Sequence, residues 1–325
     1  MSFKIICYFD TRNIRSDLKE EIVNIVLENE GVYLQQGITQ GYNISICGIK
    51  DVVEADRTKK ILQKYVKDNT YSYDINQFNK EYSKYNDPNY IKALSTNKIE
   101  VKKDNLEALF ENADQIDLYK NMQRDFDLLF LENYFINNNI YKLAKVVSVM
   151  MTMIDNKKSS NSHVSHFWYF FQTLNQEQKT EVYNLFKKSK NNYISNNPIL
   201  EEEFIEKVRL LINKYKSIVT LLIKEKKLNF YSPSNLTELK NTREYASTLH
   251  RTTILNNDYQ SEILFDNNRV TNRWVLNIIY EKFVLLKIPL IEKFFMNYLI
   301  GSQDQAIHLD ESIEYNLRTG DEKIW

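Results

Sequence analysis

The stretch from Arg269 to Ile300, RVTNRWVLNIIYEKFVLLKIPLIEKFFMNYLI, is the longest hydrophobic run in the chain and constrains the fold more than any other segment. A helix that is apolar around most of its circumference has to be surrounded, so the periodicity predicts a helical body built about this run. Polar groups nevertheless recur in it at helical spacings: Arg269, Arg273, Asn277, Tyr280, Glu281 and Glu292. Two readings stay open on periodicity alone. Either the charges snorkel from a core helix to water, or the helix carries a few polar groups inward to a site.

The rest of the chain agrees with a helix-rich protein. Only 6 Gly and 4 Pro occur in 325 residues, too few breakers for a many-turned β fold. The 43 basic and 43 acidic side chains cancel, which removes the overall electrostatic footprint of a nucleic-acid binder. The N-terminal MSFKIICYFDTRN lacks the basic start and apolar run of a signal peptide. No stretch reaches about 18 uninterrupted apolar residues, so no membrane span is expected. Cys7 and Cys47 lie in strand-like apolar stretches and read as buried thiols in a reducing compartment. The expectation is a cytoplasmic protein.

Read in order, Phe3 to Phe9 is a strand, and Ser16 to Leu27 a helix with Ser16 as its N-cap and Gly31 beyond its end. Val32 to Gln36 and Tyr42 to Cys47 form a hairpin about Gly37 to Gly41. Strand, helix and hairpin make a split β-α-β opening, and the fold class predicted is α+β: a helix-rich single domain around a small mixed β-sheet. A helix over Val52 to Val66 follows, then a Tyr/Lys-rich segment without clear period through Lys103. Leu106 to Tyr119, Arg124 to Phe135, Ile140 to Ile154 and Phe204 to Ile223 read as helices, with a loop at Asn156 to Asn161. The domain expected spans residues 1–300, and residues 301–325 read as a polar tail.

Several chemistries find no support. A Gly-rich phosphate loop, a dinucleotide fingerprint, an HExxH helix and a clustered Cys/His set are all missing. His163 and His166 are three apart on a helix, but no third ligand lies nearby, so aromatic packing is the better reading and no metal is expected. Ser247 with His250 lacks the third member and strained turn of a triad.

The order of elements then becomes informative. A strand and helix lead to a hairpin; an all-apolar helix is preceded by LLFLENYF; a late helix ends in LLKIPLIEK. This resembles the C-terminal elimination-type domain of lantibiotic dehydratases and the stand-alone proteins built on it in thiopeptide pathways. The resemblance covers most of residues 1–300 and rests on element order. In the elimination enzymes the late helix carries a His-x-x-x-Asn-Arg-Leu signature before Gly-Ile and a later Glu. With Lys287-Ile288 set on the Gly-Ile and Glu292 on the Glu, Ile279 stands where the His belongs and Phe283-Val284 where Asn-Arg belongs. The resemblance therefore implies the branch without the glutamate-eliminating apparatus, the pyridine synthases. These join two dehydroalanines of a modified precursor peptide by a formal [4+2] cycloaddition, with loss of water and of the leader peptide, and without a cofactor.

On that reading Tyr280 is the first candidate for proton handling, Asn277 for orienting an amide, and Arg273 or Arg269 for holding a carbonyl, with Ser247 and His250 behind them. The leader, typically acidic in this family, is expected on the edge of the Val32 to Cys47 hairpin (Tyr33, Gln35, Tyr42) and on the Tyr/Lys-rich segment (Lys59, Lys60, Tyr71, Tyr73). The partner implied is a dehydrated, azole-bearing precursor peptide, with other pathway enzymes beside it and neither nucleic acid nor membrane. The alternatives are a glutamate-eliminating subunit of a split dehydratase and a non-catalytic peptide-binding scaffold.

Overall fold

The computed structural model describes residues 2–9, 14–37, 43–68, 76, 98–133, 140–154, 160–196, 198–229, 265–285, 288, 290–303 and 308–320. The chain divides into two compact units, Met1–Asn138 with Asn277–Ile288, and Asn139–Leu276 with Pro289–Trp325, where one domain through residue 300 was expected.

The first unit is the α+β part. Its strands are β1 (Ser2–Tyr8), β2 (Tyr33–Gly37), β3 (Asn43–Ile49) and β4 (Lys98–Asp104), in the spatial order β2-β3-β1-β4. Helix α1 (Ser16–Glu28) links β1 to β2, and α2 (Val52–Val66) follows β3. Every pairing is antiparallel. The split β-α-β opening is present, because β1 and β2 both run opposite to β3; but β3 fills the gap between them, so no parallel pairing forms and the sheet is antiparallel rather than mixed.

Local chemistry sets the boundaries. Asp51 caps α2, its Oδ1 accepting from Val53 and Glu54 N–H at 2.9 Å each, a contribution of about 1 kcal/mol. At α1 the N-cap position is Arg15, in extended conformation and without a side-chain capping bond, and Ser16 is already helical, one residue off the expectation. Gly48 has φ +82°, and a Cβ there would meet Gly31 O at 2.2 Å, so the turn after α1 lies directly on β3. Ile5, Cys7, Ile22, Val26, Ile46 and Leu62 belong to one core between the sheet and these helices. Both thiols are buried and free, and burial pushes Cys7 up to about 12.

Strand β4 lies within the stretch read as an unperiodic surface segment. Its alternation was nonetheless visible: Ile99 and Val101 turn to the core while Lys98 and Lys102 stay exposed. After a 3-10 turn at Leu106–Ala108 comes α3 (Ala113–Asn133), a single helix through the interruption expected at Lys120 to Gln123, which contains no breaker.

The second unit is helical in its described residues: α4 (Ile140–Ile154), α5 (Ser160–Gln172), α6 (Gln176–Asn196), α7 (Glu202–Lys224), the first part of α8 (Asn267–Leu285), α9 (Leu290–Gly301) and α10 (Leu309–Thr319). Helix α9 packs on α5, α4 and α6. Its approach to α5 is closest at Gly301, where a Cβ would meet Val164 Cγ2 at 2.7 Å. Aromatic rings fill the space between: Phe167 lies 5.1 Å from Phe171 and 5.6 Å from Tyr298, and Phe170 stacks on Phe294 at 4.0 Å. Residues 309–319, inside the expected tail, form a helix with Leu309, Ser312, Ile313 and Asn316 buried. The long apolar run is two helices, α8 and α9. Pro289 lacks an N–H and disfavours helix at the residue before it, and Ile288 N–H closes back on Phe283 O at 2.8 Å.

Candidate active site

The division between the units falls inside α8, whose residues Asn277 to Leu285 belong to the first unit. Two consecutive side chains there, Glu281 and Lys282, organise a polar cluster against α3 and the β2-β3 hairpin.

Lys282 is buried at 1% exposure and pairs with buried Asp127 of α3 at 2.7 Å. Both also bind one residue of β2: Leu34 N–H donates to Asp127 Oδ2 at 2.6 Å, and Lys282 Nζ donates to Leu34 O at 2.8 Å. Arg124 Nη1, which donates to Val26 O and Asn29 O at 2.7 Å, reaches Val32 O at 3.0 Å. Burial pushes the Asp127 carboxyl up, and Lys282 and Leu34 N–H oppose that. The outward backbone groups of Leu34 in β2 are thereby taken by Asp127 and Lys282, and Val32 O just before the strand is taken by Arg124. At these residues the hairpin edge expected for strand addition is occupied. Tyr33 is also fully buried, its hydroxyl donating to Asp104 at 3.2 Å, so it offers no surface to a peptide.

Glu281 is exposed as a residue, yet its carboxylate turns inward. Tyr119 Oη donates to Glu281 Oε2 at 2.7 Å, and Gln123 Nε2 donates to the same oxygen. Behind them Gln35 Nε2 donates to Tyr119 Oη at 2.6 Å, and the Cys47 thiol donates to Gln35 Oε1 at 3.4 Å. The bonds run in one direction, from Cys47 through Gln35 and Tyr119 to Glu281. Desolvation pushes the Glu281 carboxyl up against these donors and Lys282. Burial and the Glu281 charge push Tyr119 up as well, so the phenol stays a donor. The arrangement presents one carboxylate at the surface end of a buried hydrogen-bond chain, a group suited to taking and returning a single proton.

Of the residues expected from sequence, Asn277 and Tyr280 are half-buried on the turn of α8 preceding this carboxylate, and Tyr280 stands edge-on to Phe283 at 5.6 Å. Asn277 is one helical turn from both Tyr280 and Glu281, so the three share one patch. Arg269 and Arg273 are half-buried on the part of α8 that belongs to the second unit, where Asp266 Oδ1 accepts from Arg269 N–H at 2.8 Å. Gln35 enters the hydrogen-bond chain rather than a binding surface. Lys59 and Lys60 lie on α2, Lys60 exposed. Ser247, His250, Tyr42, Tyr71 and Tyr73 fall outside the described residues. Asp127, Tyr119, Gln123 and Lys282 were missed. For Asp127 and Lys282 the signal was charge inside two otherwise apolar runs, Asp127 in FDLLFL and Glu281-Lys282 in YEKFVLL; Tyr119 and Gln123 lie in neither.

In the second unit His163 is fully buried, with Nδ1 2.7 Å from Asn297 Oδ1. Among the described residues no group of three or more His, Cys, Asp or Glu could hold a metal. Burial pushes His163 down to about 4 from 6.5. Its folded value is depressed, so stability is full above pH 6.5 and falls as the pH drops toward 4. Urea unfolding at pH 7 and pH 5 is expected to differ by about 2 kcal/mol from this group, and His163→Gln should remove that difference.

The fold as a whole is pyridine synthase-like. It is shared with the pyridine synthase TbtD from thiomuracin biosynthesis, at 11% identity and a TM-score of 0.57 over 95% of this chain and 99% of that one. TsrL is similar at 11% identity and a TM-score of 0.55, over 100% of this chain and 99% of that one. No family model and no curated protein sequence matches the chain. Among the described residues no helix is long and apolar enough to cross a membrane.

Proposed function

We propose that this protein is a biosynthetic enzyme of a thiopeptide pathway that forms the central pyridine of a modified precursor peptide. The observation that carries the reading is the fold likeness to a pyridine synthase over nearly the full length of both chains. Proton-handling groups at Glu281, Tyr119 and Tyr280 support it.

The reaction needs two alkenes held together and protons moved. One dehydroalanine, with the preceding amide in its imidic-acid tautomer, supplies the four-atom azadiene, and the second supplies two carbons. Two carbon–carbon bonds form. Hydroxyl then leaves with one ring hydrogen as water, and the leader's amide nitrogen leaves with another as a carboxamide, so no oxidant is consumed. Orientation of the two alkenes alone can supply about 7–11 kcal/mol. Glu281 takes the ring protons and returns them to the leaving groups; Tyr280 donates to the tautomerised amide, and Asn277 between them orients it.

The test is incubation with a dehydrated, azole-bearing precursor, followed by mass spectrometry for paired loss of water and leader. Binding without that loss supports the scaffold reading, and loss of glutamate from a glutamylated precursor supports the elimination reading. Tyr280→Phe is expected to slow ring formation by about 10² without changing the melting temperature. An unchanged rate removes Tyr280 from the chemistry.

A further inference from the structure

The sheet of the first unit has two edges, and the surrounding chain treats them differently. On β2 the outward backbone groups of Leu34 are taken by Asp127 and Lys282, and Val32 O just before the strand by Arg124. Strand β4 pairs on its inner side with β1, from Lys98 opposite Tyr8 to Asp104 opposite Ser2. Among the described residues no strand and no side chain bonds its outer backbone. An edge of seven residues that no described strand pairs is a template for another extended chain.

The side chains of β4 restrict what that chain can be. Lys98, Glu100 and Lys102 share one face, while Ile99 and Val101 turn to the core. Glu100 lies between the lysines, paired with Lys98 and 2.6 Å from Lys102, and both lysines remain 52% exposed. Hydrogen bonds from Lys102 and Lys98, with their charges behind them, hold the Glu100 carboxyl down at about 2. Asp104 shares this face, its carboxylate accepting from the Tyr33 hydroxyl, and Lys4 of β1 stands directly across from Lys102, so three ammonium groups face two carboxylates and one positive charge is in excess. Like charges opposite one another weaken a ladder. Lys4 and Lys102 are thus set against one another, and an anionic neighbour would relieve that repulsion. Lysines on an edge also deter self-association, and the experiment has to separate that role from binding.

We propose that the outer edge of β4 binds an extended acidic peptide segment as a fifth strand, with carboxylates against Lys98 and Lys102 and an uncharged residue against Glu100. The proposal rests on the peptide-substrate reading, since the segment is taken to be part of the precursor peptide; the edge and its charges are observed independently of it. Because one face recurs every second residue, the preferred pattern is acidic, any, uncharged, any, acidic.

The experiment uses the full chain and a labelled synthetic peptide of that pattern, matched to the seven residues of β4. Anisotropy reports affinity and hydrogen exchange reports where the peptide lies. The peptide is expected to bind at low salt and to slow exchange in residues 98–104. Lys98→Glu with Lys102→Glu should weaken it by at least about tenfold, and Glu100→Gln should tighten it by about threefold. Two versions N-methylated on alternate backbone positions separate strand addition from charge attraction: one set should abolish binding and the other leave it intact. Equal binding of both versions, protection elsewhere in the chain, or no binding at all overturns the proposal. Ring formation at normal KM in the doubly substituted protein also overturns it and leaves the proposed function standing. Binding at β4 without ring formation does the reverse.

Discussion

Replacing Lys282 by methionine is expected to destabilise the first unit by about 3–5 kcal/mol, the usual cost of leaving one member of a buried ion pair alone. Asp127 is then an uncompensated carboxylate at 1% exposure, and Leu34 O loses its donor. Many buried pairs can be exchanged together for apolar residues at little cost. This one should resist that exchange, because its two members also satisfy both outer backbone groups of Leu34. An Asp127→Leu, Lys282→Met double variant removes the stranded charge but leaves a buried N–H and C=O unpaired, each costing about 1–3 kcal/mol. The double variant is therefore expected to be no more stable than wild type minus about 2 kcal/mol. Urea unfolding of the four proteins of the cycle measures this, with amide exchange at Leu34 as the local readout. A loss below about 1 kcal/mol in Lys282→Met would show that the pair does not hold the edge.

The physical reason for that closure also explains which parts of the molecule could be read in advance. Helices Val52–Val66 and Ile140–Ile154 were placed to the residue: the first has a regularly spaced buried set, Ala55, Thr58, Leu62 and Val66, with Asp51 capping its start, and the second a broad buried face. Helix α6 was missed because its buried set is narrow, Tyr183, Phe186 and Tyr193 on an otherwise polar strip. Helix α10 carried a complete signature, with acids in its first turn, Arg318 in its last and Gly320 at φ +80° beyond, and polarity alone disguised it as a tail. Of the candidate site, that Asn277 and Tyr280 share a helix face followed from their spacing within one segment. The partners of Glu281 and Lys282 did not, since Tyr119, Gln123 and Asp127 lie more than 150 residues earlier and only the fold brings them together. A charge in an apolar run announces that a partner exists without naming it. The same holds for the hairpin: alternation identified β2 and β3, but whether the edge of β2 is open depends on α3 and α8.

Glu281→Gln should lower ring formation by about 10²–10⁴, the range for removing a positioned acid–base group, while leaving peptide affinity and the fold in place. Glutamine keeps an oxygen that can accept from Tyr119 and Gln123, so the hydrogen-bond chain survives and only the exchangeable proton is lost. Desolvation raises the Glu281 carboxyl above its ordinary value of 4.5. A raised folded value means that the stability this group adds is present below pH 4.5 and is lost as the pH climbs through the raised value. On the proposed function activity should follow the opposite course, because the carboxylate would have to be ionised to accept a ring proton. Activity is therefore expected to rise with pH across the range in which this increment of stability is lost, and Glu281→Gln should flatten that limb of the profile. Tyr119→Phe removes one donor to the carboxylate and should shift the limb to higher pH without abolishing turnover. A Glu281→Gln protein that forms the ring at the wild-type rate and with the wild-type pH profile would exclude this carboxylate from the chemistry, and the proton traffic would then fall to Tyr280 and its neighbours on α8.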